Sequence, residues 1–180
     1  LDIGFALEDR WQAGPLSGQY GFDYFGRRGV NARQHEFMLS RLRRSAQSLH
    51  DGKENESAIF ATANRDFDFF SVHLGGRWTF FTQTDSRSEK ISLNRGSYSL
   101  TVRKPLGNLD LSLSYGTSMR FASLSERLFI GSTGRGKVIG NSRLLPEDTS
   151  ELDIGIEHWG ERLAFELHGF AMDIDCLLYT

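Results

Sequence analysis

Apolar and polar residues alternate with a period of two along eight segments of the chain, which is the pattern of β-strands with one apolar face. In segment 109–116, three leucines and a tyrosine alternate with Asp, Ser and Gly. The eight segments lie at about 1–8, 19–24, 56–64, 69–82, 97–103, 109–116, 151–157 and 162–174. The pattern predicts an all-β protein with about eight antiparallel strands.

The connections between these segments alternate in length. Short turns are predicted at 65–68, 104–108 and 159–161, and long connections at 26–55, 83–95 and 117–148. One-sided alternation by itself fits a soluble antiparallel sheet as well as a membrane barrel. Alternating short and long connections are typical of outer-membrane barrels, whereas soluble sandwiches and barrels keep most connections short. The connections therefore favour an antiparallel transmembrane β-barrel.

Composition narrows the class of protein. The chain has 180 residues, enough for one domain, and its net charge of −2 gives no basic field for nucleic acid. No apolar run is long enough for a transmembrane helix. The single Cys176 lacks a disulfide partner, so we expect only a small apolar role for it. Because the chain starts without Met and without a signal peptide, we expect a piece of a longer protein.

The sequence contains no complete catalytic motif. Segment 131–138, GSTGRGKV, nearly matches a phosphate-binding P-loop, but Val138 replaces the magnesium-binding hydroxyl and no helix pattern follows. The five histidines show no metal-ligand spacing, and no nucleophile motif is present. We therefore expect no enzyme, no cofactor and no metal site.

The long connections carry a group of basic residues. Within 32–56 the middle is expected to form a short helix, because Phe37, Leu39, Leu42 and Leu49 are loosely periodic. Arginine suits the multidentate binding of carboxylate, catecholate or phosphate oxygens, so an anionic ligand or lipopolysaccharide would bind here. A solvated loop is the alternative for each residue. The candidates are Arg27, Arg28, Arg33, His35, Arg41, Arg43, Arg44, Arg120 and Arg135.

Two stretches near the C-terminus resemble a known family. LDLSLSYGTSMRFASLSERLF (109–129) is similar to a strand followed by an Arg-Ala-Pro-x-x-x-Glu-Leu-Phe loop, and GNSRLLPEDTSELDIGIE (140–157) to a Gly-Asn-Pro-x-Leu-x-Pro-Glu box. FELHGFAMDID (165–175) resembles the strand that follows. Ser123 and Ser142 stand where each box usually has Pro. The residues that carry the resemblance are Arg120, Glu126, Gly140, Asn141, Pro146, Glu147, Glu151 and Gly155.

These motifs resemble those of TonB-dependent outer-membrane receptors. The resemblance implies that residues 1–180 are part of a barrel of about 22 strands, without its plug domain. It implies a monomeric outer-membrane receptor that imports a scarce nutrient, most often a ferric siderophore, with energy from the TonB–ExbB–ExbD complex. By the same resemblance, haem receptors carry a His between the two boxes, and residues 122–145 lack His, which makes haem a weaker candidate. Cobalamin, other metals and sugars stay open as ligands. Pro146 is expected to end strand pairing, and Leu152, Ile154 and Ile156 to face lipid.

Two alternatives remain open from the sequence. One is a complete small eight-stranded outer-membrane barrel with a structural, adhesive or lipopolysaccharide-binding role. The other is a soluble lipocalin-like binder, which would have to place charged residues on every inward face.

Overall fold

The structure is a computed structural model. It describes residues 1–38, 41–86, 90–133 and 136–175, apart from the side chains of 36–38, 41–45 and 133. Eight antiparallel strands form one sheet in the order β1-β2-β3-β4-β5-β6-β9-β10. Their bounds are β1 Asp2–Ala13, β2 Leu16–Met38, β3 Arg41–Asp66, β4 Ser71–Thr84, β5 Ile91–Leu106, β6 Leu109–Arg120, β9 Glu147–Trp159 and β10 Ala164–Asp175. Between β6 and β9 lie helix α1 (Leu124–Leu128) and the hairpin of β7 (Ile130–Thr133) and β8 (Gly136–Ile139).

The predicted all-β antiparallel fold is confirmed. The eight strands of the large sheet correspond to the eight alternating segments, and each strand pairs with its neighbours in antiparallel register. Strands β1 and β10 are the two edges of this sheet. In the described part of the chain the eight strands do not close on themselves, which counts against a complete eight-stranded barrel.

One face of the sheet, called here the apolar face, carries large exposed side chains. Leu74, Trp78 and Leu100 on β4 and β5 are 40–52% exposed, and Ile154 and Leu167 on β9 and β10 are 52% and 62% exposed. Monomeric soluble proteins rarely expose apolar patches of this extent. A face of this kind is typical of the lipid-facing side of a membrane barrel.

The opposite face, called here the polar face, carries charged residues that pair across strands. Arg77 on β4 donates from Nη2 to Asp23 Oδ1 of β2 at 2.9 Å and to Glu56 Oε1 of β3 at 3.5 Å. All three side chains are about one-third exposed. These three charges therefore stabilise one another across neighbouring strands.

The long connection predicted at 26–55 is wrong, and so is the short helix within it. Strands β2 and β3 instead continue to Met38 and Arg41 as one long hairpin. Register shifts follow Arg27, and Asp51 has a positive φ of 47°. These irregularities break the alternation by which a strand is recognised, while cross-strand hydrogen bonds satisfy the backbone. Most candidate arginines therefore lie on strands and not in loops.

The other connections follow the predicted pattern with shifted limits. Two-residue turns join β1 to β2 and β5 to β6, and four-residue connections join β3 to β4 and β9 to β10. The predicted long connection 83–95 shortens, since β4 ends at Thr84 and β5 begins at Ile91. In the described residues no helix is long and apolar enough to cross a membrane.

Candidate functional site

The connection between β6 and β9, whose described residues are 121–133 and 136–146, folds back over the polar face and is called here the return segment. The ring of Phe121 stacks on Phe81 of β4 with centroids 4.3 Å apart. The carbonyl of Ala122 accepts a hydrogen bond from Gln83 Nε2 at 3.0 Å. Leu124 and Leu128 of α1 pack on Leu49 of β3, with Val30, Ala32 and Ile91 around them. The return segment therefore covers part of the space above strands β2 to β5.

Helix α1 begins with a capping box. Ser123 Oγ accepts from the backbone N–H of Glu126 at 3.3 Å, and the Ser123 N–H donates to Glu126 Oε2 at 2.7 Å. Ser123 has φ −66°, the value that a proline ring imposes. Serine therefore keeps the backbone shape of the proline usual in this motif and adds an N–H donor that proline lacks.

Arg120, the last residue of β6, binds two carboxylates. Its Nε and Nη2 donate to Glu147 Oε2 and Oε1 at 2.6 and 3.0 Å. Its Nη1 donates to Glu126 Oε1 and Oε2 at 3.2 and 3.1 Å. Glu147 is only 9% exposed, and bidentate pairs of this kind are the strong ones. The three residues form what we call the Arg120 cluster, which joins β6, α1 and the start of β9.

The pKa of Glu126 reflects this cluster. Burial by itself would raise the pKa of the Glu126 carboxyl, but hydrogen bonds from Arg120 and Ser123 outweigh burial and leave the pKa below its ordinary value. The carboxylate is therefore ionised over the physiological pH range and remains bound to Arg120.

The second family motif (140–157) contacts the first (109–129) through backbone hydrogen bonds at α1. The Gly140 N–H donates to Phe129 O at 2.6 Å, and the Asn141 N–H donates to Glu126 O at 3.0 Å. A Cβ at Gly140 would lie 2.6 Å from the carbonyl carbon and oxygen of Arg127, so a side chain there does not fit. Pro146 is fully buried, and β9 begins at the next residue, which agrees with the limit on strand pairing expected there.

Arg127 of α1 is a buried cation. It is 2% exposed, and its Nε and Nη2 have no hydrogen-bond partner among the residues that the structure describes. Burial lowers the pKa of the guanidinium, but arginine stays charged in proteins. The neighbouring carboxylate of Glu126 offsets only part of the desolvation of this charge.

The ligand-binding candidates whose side chains the structure describes do not form a single patch. Arg27 pairs with Asp2 through Nε at 3.3 Å, whereas the backbone of Arg28 pairs with that of Leu1. Arg33 and His35 lie further along β2, roughly 20–30 Å from Arg27 at the usual rise of an extended strand. Arg41, Arg43 and Arg44 lie on β3, where only the backbone is described, and Arg135 lies outside the described residues. Arg120 belongs to the Arg120 cluster, and ligand binding by all nine residues stays a prediction.

The last two motif residues lie on the polar face of β9. Glu151 faces Gly116 of β6 and Met172 of β10 in register. Gly155 faces Ser112 and His168 in the same way and is buried. Alternation within β9 indicates this face, but the neighbours of Gly155 depend on a register that the sequence does not give.

The chain has long antiparallel strands with an exposed apolar face and a charged polar face, and its return segment folds over the polar face. These features define the class of membrane β-barrel proteins. Within this class, the chain belongs to the family "TonB dependent receptor-like, beta-barrel", whose family model matches residues 2–180. The family predicted from the motifs is therefore confirmed. A comparison with curated protein sequences gives no match.

Two solved receptors have a similar fold. "Copper transporter OprC" aligns with a TM-score of 0.78 at 14% identity, over 96% of this chain and 30% of that chain. The Serratia marcescens hemophore receptor HasR, a double mutant in complex with its hemophore HasA and heme, aligns with a TM-score of 0.70 at 17% identity, over 97% of this chain and 33% of HasR. The chain thus spans about a third of the length of these receptors. At such identities the likeness shows the fold alone.

Proposed function

We propose that the chain is part of the barrel wall of an outer-membrane TonB-dependent receptor that takes up a scarce nutrient, with a ferric siderophore or another iron complex as its cargo. The observation that carries this proposal is the family match over residues 2–180. The parent protein would also hold a plug domain, through which the TonB–ExbB–ExbD complex would supply energy. The barrel would be monomeric and surrounded by outer-membrane lipid and lipopolysaccharide.

The long hairpin of β2 and β3 supports an anionic cargo. Met38 and Arg41, the last described residues of this hairpin, lie at the same end of the sheet as the return segment, since the short turns all lie at the other end. Arg33 and His35 lie on its β2 strand, and Arg41, Arg43 and Arg44 on its β3 strand. Guanidinium groups suit the carboxylate and catecholate oxygens of an iron chelate. The hairpin would therefore bind the cargo first, and the cargo would then pass along the polar face.

The similar solved receptors are consistent with a metal-containing cargo. One is named as a copper transporter and the other as a hemophore receptor in complex with heme. Residues 122–145 of this chain hold no histidine, which favours a siderophore over haem. Copper and haem are therefore the competing cargoes in the test.

The test is growth of the host under iron starvation after deletion of the gene for the full-length receptor. We expect loss of growth on at least one ferric siderophore as the sole iron source. Growth should return with the wild-type gene and should require tonB. Parallel arms supply haem, copper or cobalamin. A defect in one of those arms alone would reassign the cargo, and uptake independent of tonB would overturn the receptor function.

Two variants and one matched control test the hairpin. Arg33→Ala and His35→Ala in the full-length receptor should weaken siderophore binding. Arg103→Ala should not, because this exposed β5 residue lies near the turn end of the sheet. Equal affinity in all three variants would remove the hairpin residues from the binding surface and leave the receptor function standing.

A further inference from the structure

We propose that Glu157, Glu166 and His168, on the polar face of the β9–β10 hairpin, form a binding site for one divalent transition-metal cation. One ligand atom from each residue lies within 4.8 Å of the other two. Glu157 and Glu166 are opposite each other in the β9–β10 register. His168 follows Glu166 by two residues and so shares its face. The three donors thus converge from two neighbouring strands.

The negative charges around this site favour the binding of a cation. Asp110 of β6 lies opposite Glu157 on its other side, so Asp110, Glu157 and Glu166 form a row of three carboxylates across three strands. Like charges directly opposite each other destabilise an antiparallel pair. In the described part of the chain, no Lys or Arg forms an ion pair with any of these three carboxylates. A bound divalent cation would offset this repulsion.

Gly155 makes room for the imidazole of His168. A Cβ built at Gly155 would lie 3.2 Å from both Cε1 and Nδ1 of the ring and would clash with Ser112 Oγ. Glycine therefore lets the ring lie over the β9 backbone close to the two glutamates. This gives the motif residue Gly155 a specific role beyond strand packing.

The donor set indicates the kind of metal. Two carboxylate oxygens and one imidazole nitrogen suit Zn²⁺, Co²⁺ or Fe²⁺, whereas Mg²⁺ and Ca²⁺ prefer oxygen ligands alone. Nε2 of His168 and Oε1 of Glu166 are 2.6 Å apart, close enough to share a proton. Metal binding would replace that proton, which passes to solvent. Three protein ligands leave further coordination positions open to water.

The site lies away from the proposed cargo-binding hairpin. His158, next to Glu157, pairs with Leu109 at the start of β6, whereas Glu147 pairs with Arg120 at its end. The metal site is therefore at the turn end of the sheet, and the return segment is at the other. Metal binding here does not depend on which nutrient the receptor carries.

The test uses the full-length receptor, purified in detergent and stripped with a chelator. It is titrated with Co²⁺, followed by its visible absorption, and with Zn²⁺ in competition. We expect one saturable site that Zn²⁺ displaces and excess Mg²⁺ does not. The triple variant Glu157→Gln, Glu166→Gln, His168→Asn should lose this site. Gly155→Ala keeps all three ligands. It should weaken Co²⁺ binding on the order of 10- to 100-fold, which is the usual effect of changing a residue that orients a metal ligand.

Two controls match the variants. His158→Ala removes a histidine from the opposite face of the same hairpin, and Glu8→Gln removes an exposed carboxylate from β1. Both should keep the site. The shift in migration of the barrel on heating in SDS confirms that each variant is folded. Saturable Co²⁺ binding that is unchanged in the triple variant, or equally weakened in both controls, would overturn the proposal.

Discussion

Arg120 and Glu147 face each other as a register pair of the β6–β9 ladder, and their side chains join through two hydrogen bonds of 2.6 and 3.0 Å. The same guanidinium holds Glu126 of α1. One side chain thus fixes the point where β6 ends, the return segment begins and β9 starts.

Arg120→Ala should destabilise the barrel by about 1–3 kcal/mol, because hydrogen bonds to charged groups are lost next to a mostly buried carboxylate. Arg120→Lys should recover only part of this loss, since lysine cannot bind both carboxylates through a planar fork. The urea concentration that half-unfolds the full-length receptor in detergent measures the effect. Arg103→Ala is the exposed control, and an equal shift in that variant would contradict a special role for Arg120.

The Arg120 cluster also predicts a pH dependence. The pKa of Glu126 is lowered from its ordinary value of 4.5, so its ionised form stabilises the folded state at pH values above the ordinary pKa. That contribution is lost as the pH falls through the lowered pKa of the folded state. The urea midpoint of the wild type should fall more steeply below about pH 4.5 than that of Glu126→Gln. Parallel curves for the two proteins would show that Glu126 does not contribute.

Gly140→Ala should loosen the return segment, because its Cβ would lie 2.6 Å from backbone atoms of Arg127. A backbone contact of this kind cannot be relieved by a side-chain rotation, and we expect a cost of about 1–3 kcal/mol. Limited proteolysis between β6 and β9 provides the measurement. Gly169→Ala is the matched control, since no atom of the described residues lies within 4 Å of a Cβ built there. Equal cleavage of both variants would remove the steric argument.

Arg127→Met should stabilise the protein by about 1–3 kcal/mol, since an apolar side chain replaces a buried charge whose Nε and Nη2 have no partner in the described part of the chain. Urea unfolding is again the measurement, and Arg162→Met, in the exposed turn before β10, should change little. A large loss of stability in Arg127→Met alone would mean that the buried guanidinium has a favourable partner in the full-length receptor.

The alternation of apolar and polar residues correctly predicted the strands that are regular. Segments 109–116 and 151–157 lie within β6 and β9 and pair with each other as adjacent strands. It failed at 26–55, because register shifts after Arg27 and a positive φ at Asp51 break the alternation. Helix α1 carries the readable signature Ser-x-x-Glu at 123–126, but its five residues are too few to show a helical period.

The sequence by itself determined the strand-forming segments, the two faces of the sheet and the family, because alternation and short motifs are local properties. Only the tertiary structure placed Arg120 against Glu147, 27 residues away, and Glu157 against both Asp110 and Glu166. The physical reason is strand register: a shift of one residue moves every side chain to the other face. Register is set by the pairing of whole strands, so contacts across strands appear only when the sheet is assembled.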